Sequence, residues 1–574
     1  MSLSTTRAAL CATAGAVAIA ACGSSTTAPR RSDPTKTIEQ EVSHLQTQAA
    51  RVEDVSDIER LQRAYGYYLD AAQWDQMADL FADDGSIEIG LDGVYRGKER
   101  VRQYLHALGH GHVGLSYGEL NTHMILQPVI DVAPDGRTAK GRWRAVIMTG
   151  MYGKSAYWGE GPYENDYVKQ NGVWKIEKVH WYQTYMVPYR GGWAKNKDVN
   201  QGIYVSKQLP PDSPPTERYD TWPSVYIPPY HYRKSPAASV DEGSGSSARA
   251  EAAAGGGSAA ASESAASSEA AVADGASADP ALAELQSSAR GLGRRIGRLE
   301  DVNAIERLVG IYGYYLDKQQ WNDFANLFAA NGTMEISLRG VYVGRPSIRR
   351  ALELFGPQNI EPAHLHDHIQ LQPVIHVSAD GTRAWSRSRA LSELGTYPRI
   401  GMWGDGVYEN EYVKVDGVWQ IAKDHIYTTF FASYDQGWQN GAGPAPRVSA
   451  KIPPDRPPTE LYDSYPGEYV PPFDYTHPVT GAPIVVPPEL RVRPNAAAGA
   501  ADAAISAGAS GQAAATGAAT PLPTAPAASD AESLAPLRMQ LARIEQTVAR
   551  LEDEGAIVNL QRSYGYFVDK AMWK

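Results

Sequence analysis

The sequence predicts an α+β protein made of tandem copies of one domain, each with helices first and a meander of long antiparallel strands after them. Three observations carry this expectation. The stretch from Arg51 to Trp74 returns from Arg298 to Trp321 and again from Arg550 to Trp573. A period of about 250 residues is far too long for a solenoid and fits whole domains instead. After each of the first two copies come long alternating runs that close on the hairpin signals Asn171-Gly172 and Asp416-Gly417.

The chain opens with Arg7 and the apolar run from Ala8 to Ile19, a secretion signal too short to span a bilayer. It ends Ile19-Ala-Ala-Cys22-Gly23, which resembles the lipobox of bacterial lipoproteins. That resemblance implies cleavage after residue 21 and lipidation of Cys22. The expected location is therefore the cell envelope, with the lipid as the only membrane contact. Gly23 stands where inner-membrane lipoproteins carry aspartate, so in a Gram-negative host the outer membrane is expected. Cys11 and Cys22 are the only two cysteines, which leaves no disulfide framework for the rest.

A 3-4 spacing of apolar residues runs through Ile38, Val42, Leu45, Ala49 and Val52, and equivalent heptads precede the other two copies. Residues 35–52, 281–299 and 531–551 are thus read as helices that either pair in a coiled coil or lie on their own domains. Ser56-Asp-Ile-Glu59 and Asn303-Ala-Ile-Glu306 look like capping boxes that start a separate helix with its own direction. Ile58, Leu61, Tyr65, Tyr68 and Leu69 make its broad apolar face. Gly66, Gly313 and Gly565 interrupt it at a cost of about 1 kcal/mol each, which points to close packing there.

A second helix is expected from Trp74 to Phe81, ending at Asp83-Asp84-Gly85. A strand at 86–91, a helix at 98–108 and strands at 123–132, 138–151, 157–169 and 173–187 follow. The domains are drawn at 53–232 and 300–475, each closing with a Pro/Tyr-rich extension that wraps its surface. Residues 233–280 and 476–530 read as Ala/Gly/Ser-rich linkers. The last segment, 531–574, is expected to be a heptad helix and the first helix of a third, truncated domain.

The pattern Tyr-x4-Asp-x3-Trp-x5-Leu-Phe, a helix, a strand bearing histidine and then Asn/Asp-Gly-Val-Trp-x-Ile resembles the SnoaL-like branch of the nuclear transport factor 2 (NTF2)-like superfamily. It covers about 53–190 and 300–437, and the third copy over its first helix only. The resemblance implies tandem cones, each a curved antiparallel sheet wrapped round helices with one deep, mostly apolar pocket. Family members include polyketide cyclases, dehydratases, isomerases and non-enzymatic binding modules.

Carried over residue by residue, Asp70 and Asp317 match the acidic residue at the end of the first helix of dehydratase-like members. Tyr65 and Tyr312 match a catalytic tyrosine, and His123 and His368 the strand histidine. A carboxylate beside an imidazole orients it and raises its basicity, so the pair can move a proton from carbon next to a carbonyl. A tyrosine hydroxyl would steady the oxyanion. The bland readings are a helix-end carboxylate, a core tyrosine and a structural histidine; against them stands the recurrence of all three together. The second catalytic histidine of scytalone dehydratases has no match.

His180 and His425 share strand parity with Trp174/Ile176 and Trp419/Ile421, so period two points them into the pocket. Glu164, Glu409, Trp74 and Trp321 complete the expected lining. His364, His366 and His368 lie on one strand face, but copy one has Glu119, Asn121 and His123 there, so no metal and no cofactor is expected. The net charge of −11 argues against nucleic acid. The expected partner is a small hydrophobic molecule. The expected activity is that of a lyase or isomerase on a hydroxylated or carbonyl compound, the alternative being a non-catalytic binding or assembly module. The domains are expected to pair through sheet faces and heptad helices.

Overall fold

The computed structural model describes residues 34–232, 280–443, 446–498 and 530–572. Cys22 and the signal segment lie outside these residues, as do 233–279 and 499–529. Among the described residues no helix is long and apolar enough to cross a membrane.

The first domain runs α1 (Pro34–Asp70), α2 (Trp74–Ala78), β1 (Phe81–Ile89), β2 (Val94–Arg96), α3 (Lys98–Leu108), β3 (Glu119–Val132), β4 (Thr138–Met151), β5 (Ser155–Gln170), β6 (Val173–Trp181), β7 (Tyr185–Pro188) and α4 (Gly192–Lys195). The second repeats it with α5 (Pro280–Asp317), α6 (Trp321–Asn326), β8 (Phe328–Ile336), β9 (Val341–Val343), α7 (Gly344–Ala351), β10 (His364–Val377), β11 (Arg383–Thr396), β12 (Ile400–Val415), β13 (Val418–Ser433) and α8 (Gly437–Asn440). A last helix, α9 (Asp530–Asp569), is the third copy's opening.

Each sheet is mixed rather than purely antiparallel. Its order is β2-β1-β6-β5-β4-β3 in the first domain and β10-β11-β12-β13-β8-β9 in the second. The β1–β6 and β8–β13 pairs are parallel, because each early strand returns beside the last long one. The helix expected to end at Gly85 stops at Ala78, and Phe81 already belongs to β1. Each sheet wraps its own helices round one apolar core. The Gly-Val-Trp turn closes this cone: Trp174 Nε1 and Lys169 Nζ both reach Asp54 Oδ1 on α1, at 2.9 and 2.5 Å. Trp419 and Lys414 treat Asp301 the same way, at 2.8 and 2.6 Å.

The expected break between heptad helix and domain helix is absent. α1 and α5 run unbroken through Ser56 and Asn303, so neither residue is a cap. Nothing forces a stop: no proline lies inside either segment, and both ends of each helix bury apolar side chains. Asn303 Nδ2 instead donates to Glu554 Oε2 on α9 at 2.9 Å.

The three heptad segments pack on one another in a parallel bundle. Ile38, Val42, Leu45 and Ala49 are buried with Leu282, Leu285, Ala289, Leu292, Ile296 and Leu299 and with Leu534, Leu537, Leu541, Ile544, Val548 and Leu551. Small and large residues complement one another at equivalent positions, as with Ala49, Ile296 and Val548. Cross-links between residues of like height, such as Arg295 Nε to Glu53 Oε1 at 2.9 Å, fix the parallel register.

Beyond the bundle, each helix lays its outer face on the sheet of another domain. On α1, Tyr67 Oη donates to the carbonyl of Gln372 at 2.9 Å and Arg63 Nη1 to that of Pro373 at 2.6 Å. On α9, Tyr566 Oη donates to the carbonyl of Gln127 at 3.0 Å and Arg562 to that of Pro128 at 3.1 Å. Both acceptors sit at β-bulges where the register shifts, between Leu126 and Val129 and between Leu371 and Val374. The bulge leaves carbonyls unpaired in the ladder and aims them at the incoming helix. Gly66 and Gly565 make the approach possible: a Cβ would stand 2.5 Å from Gln372 Nε2 and Gln127 Nε2 respectively. The outer sheet faces of the two domains also meet, burying Leu120, Met124 and Met148 with Phe430, Trp438 and Tyr465.

The extensions do wrap the surface, but they reach past their own domains. The second continues as described chain to Ala498, not ending at 475, and packs Val470, Val486 and Leu490 on Ala71 of the first domain. His477 stacks on Tyr68 with centroids 5.6 Å apart.

Candidate active site

In the first domain a cavity of about 560 Å³ opens between the sheet and the helices. Apolar side chains dominate its wall, among them Leu69, Met77, Leu105, Leu108, Ile147 and Met186, with Tyr65, His123, Tyr163, Asn121 and Trp74 as polar groups. A pocket of this size and lining suits a small, largely apolar ligand.

Tyr65 and His123 therefore come together as expected, and Asp70 stands behind the histidine rather than in the wall. α1 ends at Asp70, which places its carboxylate against the start of β3. The His123 backbone N–H donates to Asp70 Oδ1 at 2.6 Å, and the ring Nδ1 lies 3.5 Å from the same oxygen. Nδ1 is buried with no hydrogen bond of its own, so the carboxylate is near but not fully engaged. This leaves Nε2 as the ring nitrogen for the cavity. Tyr65 meets Tyr163 edge to face with centroids 6.2 Å apart. Burial, and then the Tyr163 phenol, push the Tyr65 hydroxyl well above the usual tyrosine range, so it stays a proton donor.

The other oxygen of Asp70 is held by the second domain. Arg389 on β11 is ion-paired with Asp70 Oδ2 and with Asp405, whose two oxygens each lie 2.8 Å from Nη1. A carboxylate at a helix C-terminus faces the negative end of the helix dipole, and the guanidinium offsets that. Arg144, the equivalent residue on β4, is held by Glu160 Oε1 at 2.9 Å and paired with Asp569 at the end of α9. No sequence pattern links residues so far apart in the chain, and both arginines are absent from the sequence-based site.

The second domain keeps the dyad but fills the cavity. His368 N–H donates to Asp317 Oδ1 at 2.6 Å and Nδ1 lies 4.0 Å away. The remaining space is about 70 Å³. Phe324, Phe355 and Phe431 line it where the first domain has Met77, Leu108 and Met186. Burial pushes His368 down to about 3 and raises Asp317. Tyr312 Oη is 3.1 Å from Asp424 Oδ2, a carboxylate that replaces Val179 and that sequence reading missed. Burial raises Asp424 to about 7. Trp74 Nε1 donates to His112 O at 2.7 Å at the cavity wall, whereas Trp321 is buried outside the second cavity, bonded to Gly356 O at 3.1 Å.

His180 and His425 are not in either cavity. Tyr167 pairs with Ile176 and Asp166 with Lys178, so Glu177 is an extra residue in β6. Such a bulge resets the alternation. Val179 and Trp181 take the core side, and His180 turns to the opposite face, 3.6 Å from Glu88 Oε1 and stacked on Tyr182 with centroids 3.9 Å apart. Ala422 does the same in β13, leaving His425 3.6 Å from Glu335. Burial pushes His180 down to about 3, which keeps it neutral.

Glu164 and Glu409 also lie outside the cavities, on the outer sheet face. Glu164 is paired with Arg142 and lies 2.8 Å from His231 Nδ1; Glu409 is paired with Arg387. These arginines sit 4.0 Å over the rings of Tyr230 and Phe473, which anchors each extension. Among the described residues no three His, Cys, Asp or Glu side chains could hold a metal ion. His366, from the three-histidine strand, bonds Leu316 O at 3.1 Å instead.

Helices wrapped by a strongly curved mixed sheet, with one apolar cavity at their junction, define the NTF2-like class. Residues 50–180 and 297–425 each match the SnoaL-like domain family, so the chain carries two such domains in tandem. Similar solved structures include a putative scytalone dehydratase from Novosphingobium aromaticivorans, 27% identical over 26% of this chain and 97% of that one, with a TM-score of 0.21. A hexachlorocyclohexane dehydrochlorinase, LinA type 2, is 21% identical over 24% and 90%, with a TM-score of 0.21. An NTF2-like protein with a cystatin-like fold, also from N. aromaticivorans, is 15% identical over 23% and 82%, with a TM-score of 0.20.

Proposed function

We propose that the first domain is a lyase or isomerase acting by acid-base chemistry on a small hydrophobic hydroxylated or carbonyl compound. The observation that carries this reading is the meeting of His123 and Tyr65 in an open apolar cavity with Asp70 behind the imidazole. His123 would take a proton from carbon next to a carbonyl through Nε2. The electron pair moves onto the carbonyl oxygen, which the Tyr65 or Tyr163 hydroxyl stabilises. Return of the proton to a β-hydroxyl releases water; return to carbon gives an isomer. Asp70 orients the ring and stabilises the imidazolium. Positioned acid-base groups of this kind supply about 10²–10⁴-fold, enough for an acidified carbon.

The filled cavity of the second domain favours a different role for it, a non-catalytic one in assembly. It contributes Arg389 to Asp70 and its sheet to α1. Anchoring in the envelope through Cys22 is likewise a proposal, tested by mass spectrometry of the N-terminal peptide for a diacylglyceryl cysteine.

The catalytic reading is tested by incubating the protein with a panel of β-hydroxy ketones and following enone absorbance. Loss of water that disappears in His123→Gln and persists in His368→Gln supports it. No turnover across the panel, together with tight binding of the same compounds, would favour a binding module.

A further inference from the structure

The helix-on-sheet seat occurs twice, with the same residues in the same roles. Tyr67 of α1 is 1% exposed on the second sheet and Tyr566 of α9 is 2% exposed on the first. The equivalent residue of α5, Tyr314, is 75% exposed, and Ile311 beside it is 41% exposed. Each seat also joins a sheet arginine to the aspartate that ends the docked helix: Arg389 to Asp70 and Arg144 to Asp569. Among the described residues no arginine is ion-paired with Asp317. Its neighbours are the His368 N–H, Lys318 and Asp367.

A second surface is uncovered on the bundle's third arm. Ile58, Leu61 and Tyr65 of α1 are buried in the first cone, and Ile305, Leu308 and Tyr312 in the second. Ile557, Leu560 and Tyr564 are the same residue types at the same positions of α9, and they are 66%, 67% and 63% exposed.

We propose that these two surfaces are filled by a single SnoaL-like cone built on α9, whose sheet seats on Ile311 and Tyr314 of α5 and presents an arginine to Asp317. The three helices and three cones then close a ring in which every dyad carboxylate is completed by the neighbouring domain. A second copy of this chain does not supply the occupant, because both of its sheets already carry a helix. The seat on α5 differs in one respect: Gly310 stands where Arg63 and Arg562 bond the bulge carbonyls, so the tyrosine and the sheet arginine hold it. The inference concerns assembly and holds whether or not the first cavity is catalytic.

The test extends the chain after Asp569 with a second copy of residues 71–232, which complete the cone on α1, and probes single cysteines with a maleimide. Leu560→Cys reports whether the cone forms on α9, and Ile311→Cys whether it seats on α5. Both should label at least about tenfold more slowly than in the unextended chain, as protected sites do. Fast labelling at Leu560→Cys would overturn α9 as a cone helix. Protection there with unchanged labelling at Ile311→Cys would overturn the seat. The Asp317 carboxyl, followed by ¹³C NMR, should titrate about one unit lower in the extended chain. Arg144→Met in the added copy should cancel that shift, and a titration that never moves would remove the arginine from the proposal.

Discussion

Arg389 of the second domain is ion-paired with Asp70 of the first, 319 residues away in sequence. The Asp70 carboxylate is thus held from two sides, by the backbone of β3 in its own domain and by a neighbour's guanidinium. Both groups are nearly inaccessible to water, which makes the pair expensive to break. Arg389→Met should destabilise the protein by about 3–5 kcal/mol, the usual cost of stranding a buried charge. Urea unfolding checks this, and Arg389→Met with Asp405→Asn should cost less than the sum of the singles.

The two cavities differ through three side chains, which makes the difference transferable. Met77→Phe, Leu108→Phe and Met186→Phe together should abolish uptake of an apolar fluorescent probe by the first domain. Phe324→Met, Phe355→Leu and Phe431→Met should create uptake in the second, at a stability cost of a few kcal/mol from lost contacts. Titration of the probe into each triple variant reads both outcomes.

Asp424 should make stability depend on pH in an unusual direction. Burial raises it to about 7 in the folded protein, against about 3.9 unfolded. Between those values the unfolded chain releases the proton and the folded protein keeps it. Stability therefore falls as pH rises from about 4 to about 7 and is level above that. Asp424→Asn keeps a partner for Tyr312 and should flatten that slope, gaining on the order of a few kcal/mol at pH 8. His368, pushed down to about 3, acts oppositely: its stabilisation is complete above about 6.5 and lost as pH falls toward 3. Thermal unfolding across pH for the two variants Asp424→Asn and His368→Gln separates the contributions.

The helix glycines should divide by their surroundings. Gly291 and Gly297 on α5 have open space where a Cβ would go, and each change to alanine should stabilise by about 1 kcal/mol. Gly66→Ala places a Cβ 2.5 Å from Gln372 Nε2 and 2.7 Å from Ile125 Cγ1. Gln372 also receives the Ile125 N–H at 3.0 Å, so moving it breaks a buried bond, and destabilisation by about 1–3 kcal/mol is expected. Melting temperatures of the three alanine variants decide it.

Much of this was legible in the chain because repetition marked it. Tyr65, Asp70 and His123 recur as a set; Tyr65 and His123 line one cavity, and Asp70 lies behind the histidine. The cone followed from the motif ending Asn171-Gly-Val-Trp174, and in the structure that tryptophan closes the sheet onto Asp54. What failed did so for local reasons. Period two placed His180 in the cavity until Glu177, an extra residue in β6, reversed the face. The residues around Ser56 have cap chemistry, yet apolar burial on both sides carries the helix through. Arg389 and Arg144 gave no signal at all, since the helix-end aspartates they reach, Asp70 and Asp569, belong to other repeats. Asp424 could have been noticed as a carboxylate replacing Val179 in an otherwise apolar register.

The proposed chemistry is the movement of a proton at carbon inside the first cavity by His123, braced by Asp70. Its most direct test is ¹H NMR of hydrophobic ketones incubated with the protein in D₂O. Exchange at the carbon next to the carbonyl should proceed with the unaltered chain and with His368→Gln, and slow by about 10²–10⁴-fold with His123→Gln. Exchange that is untouched by His123→Gln, or that stops with His368→Gln instead, would contradict it.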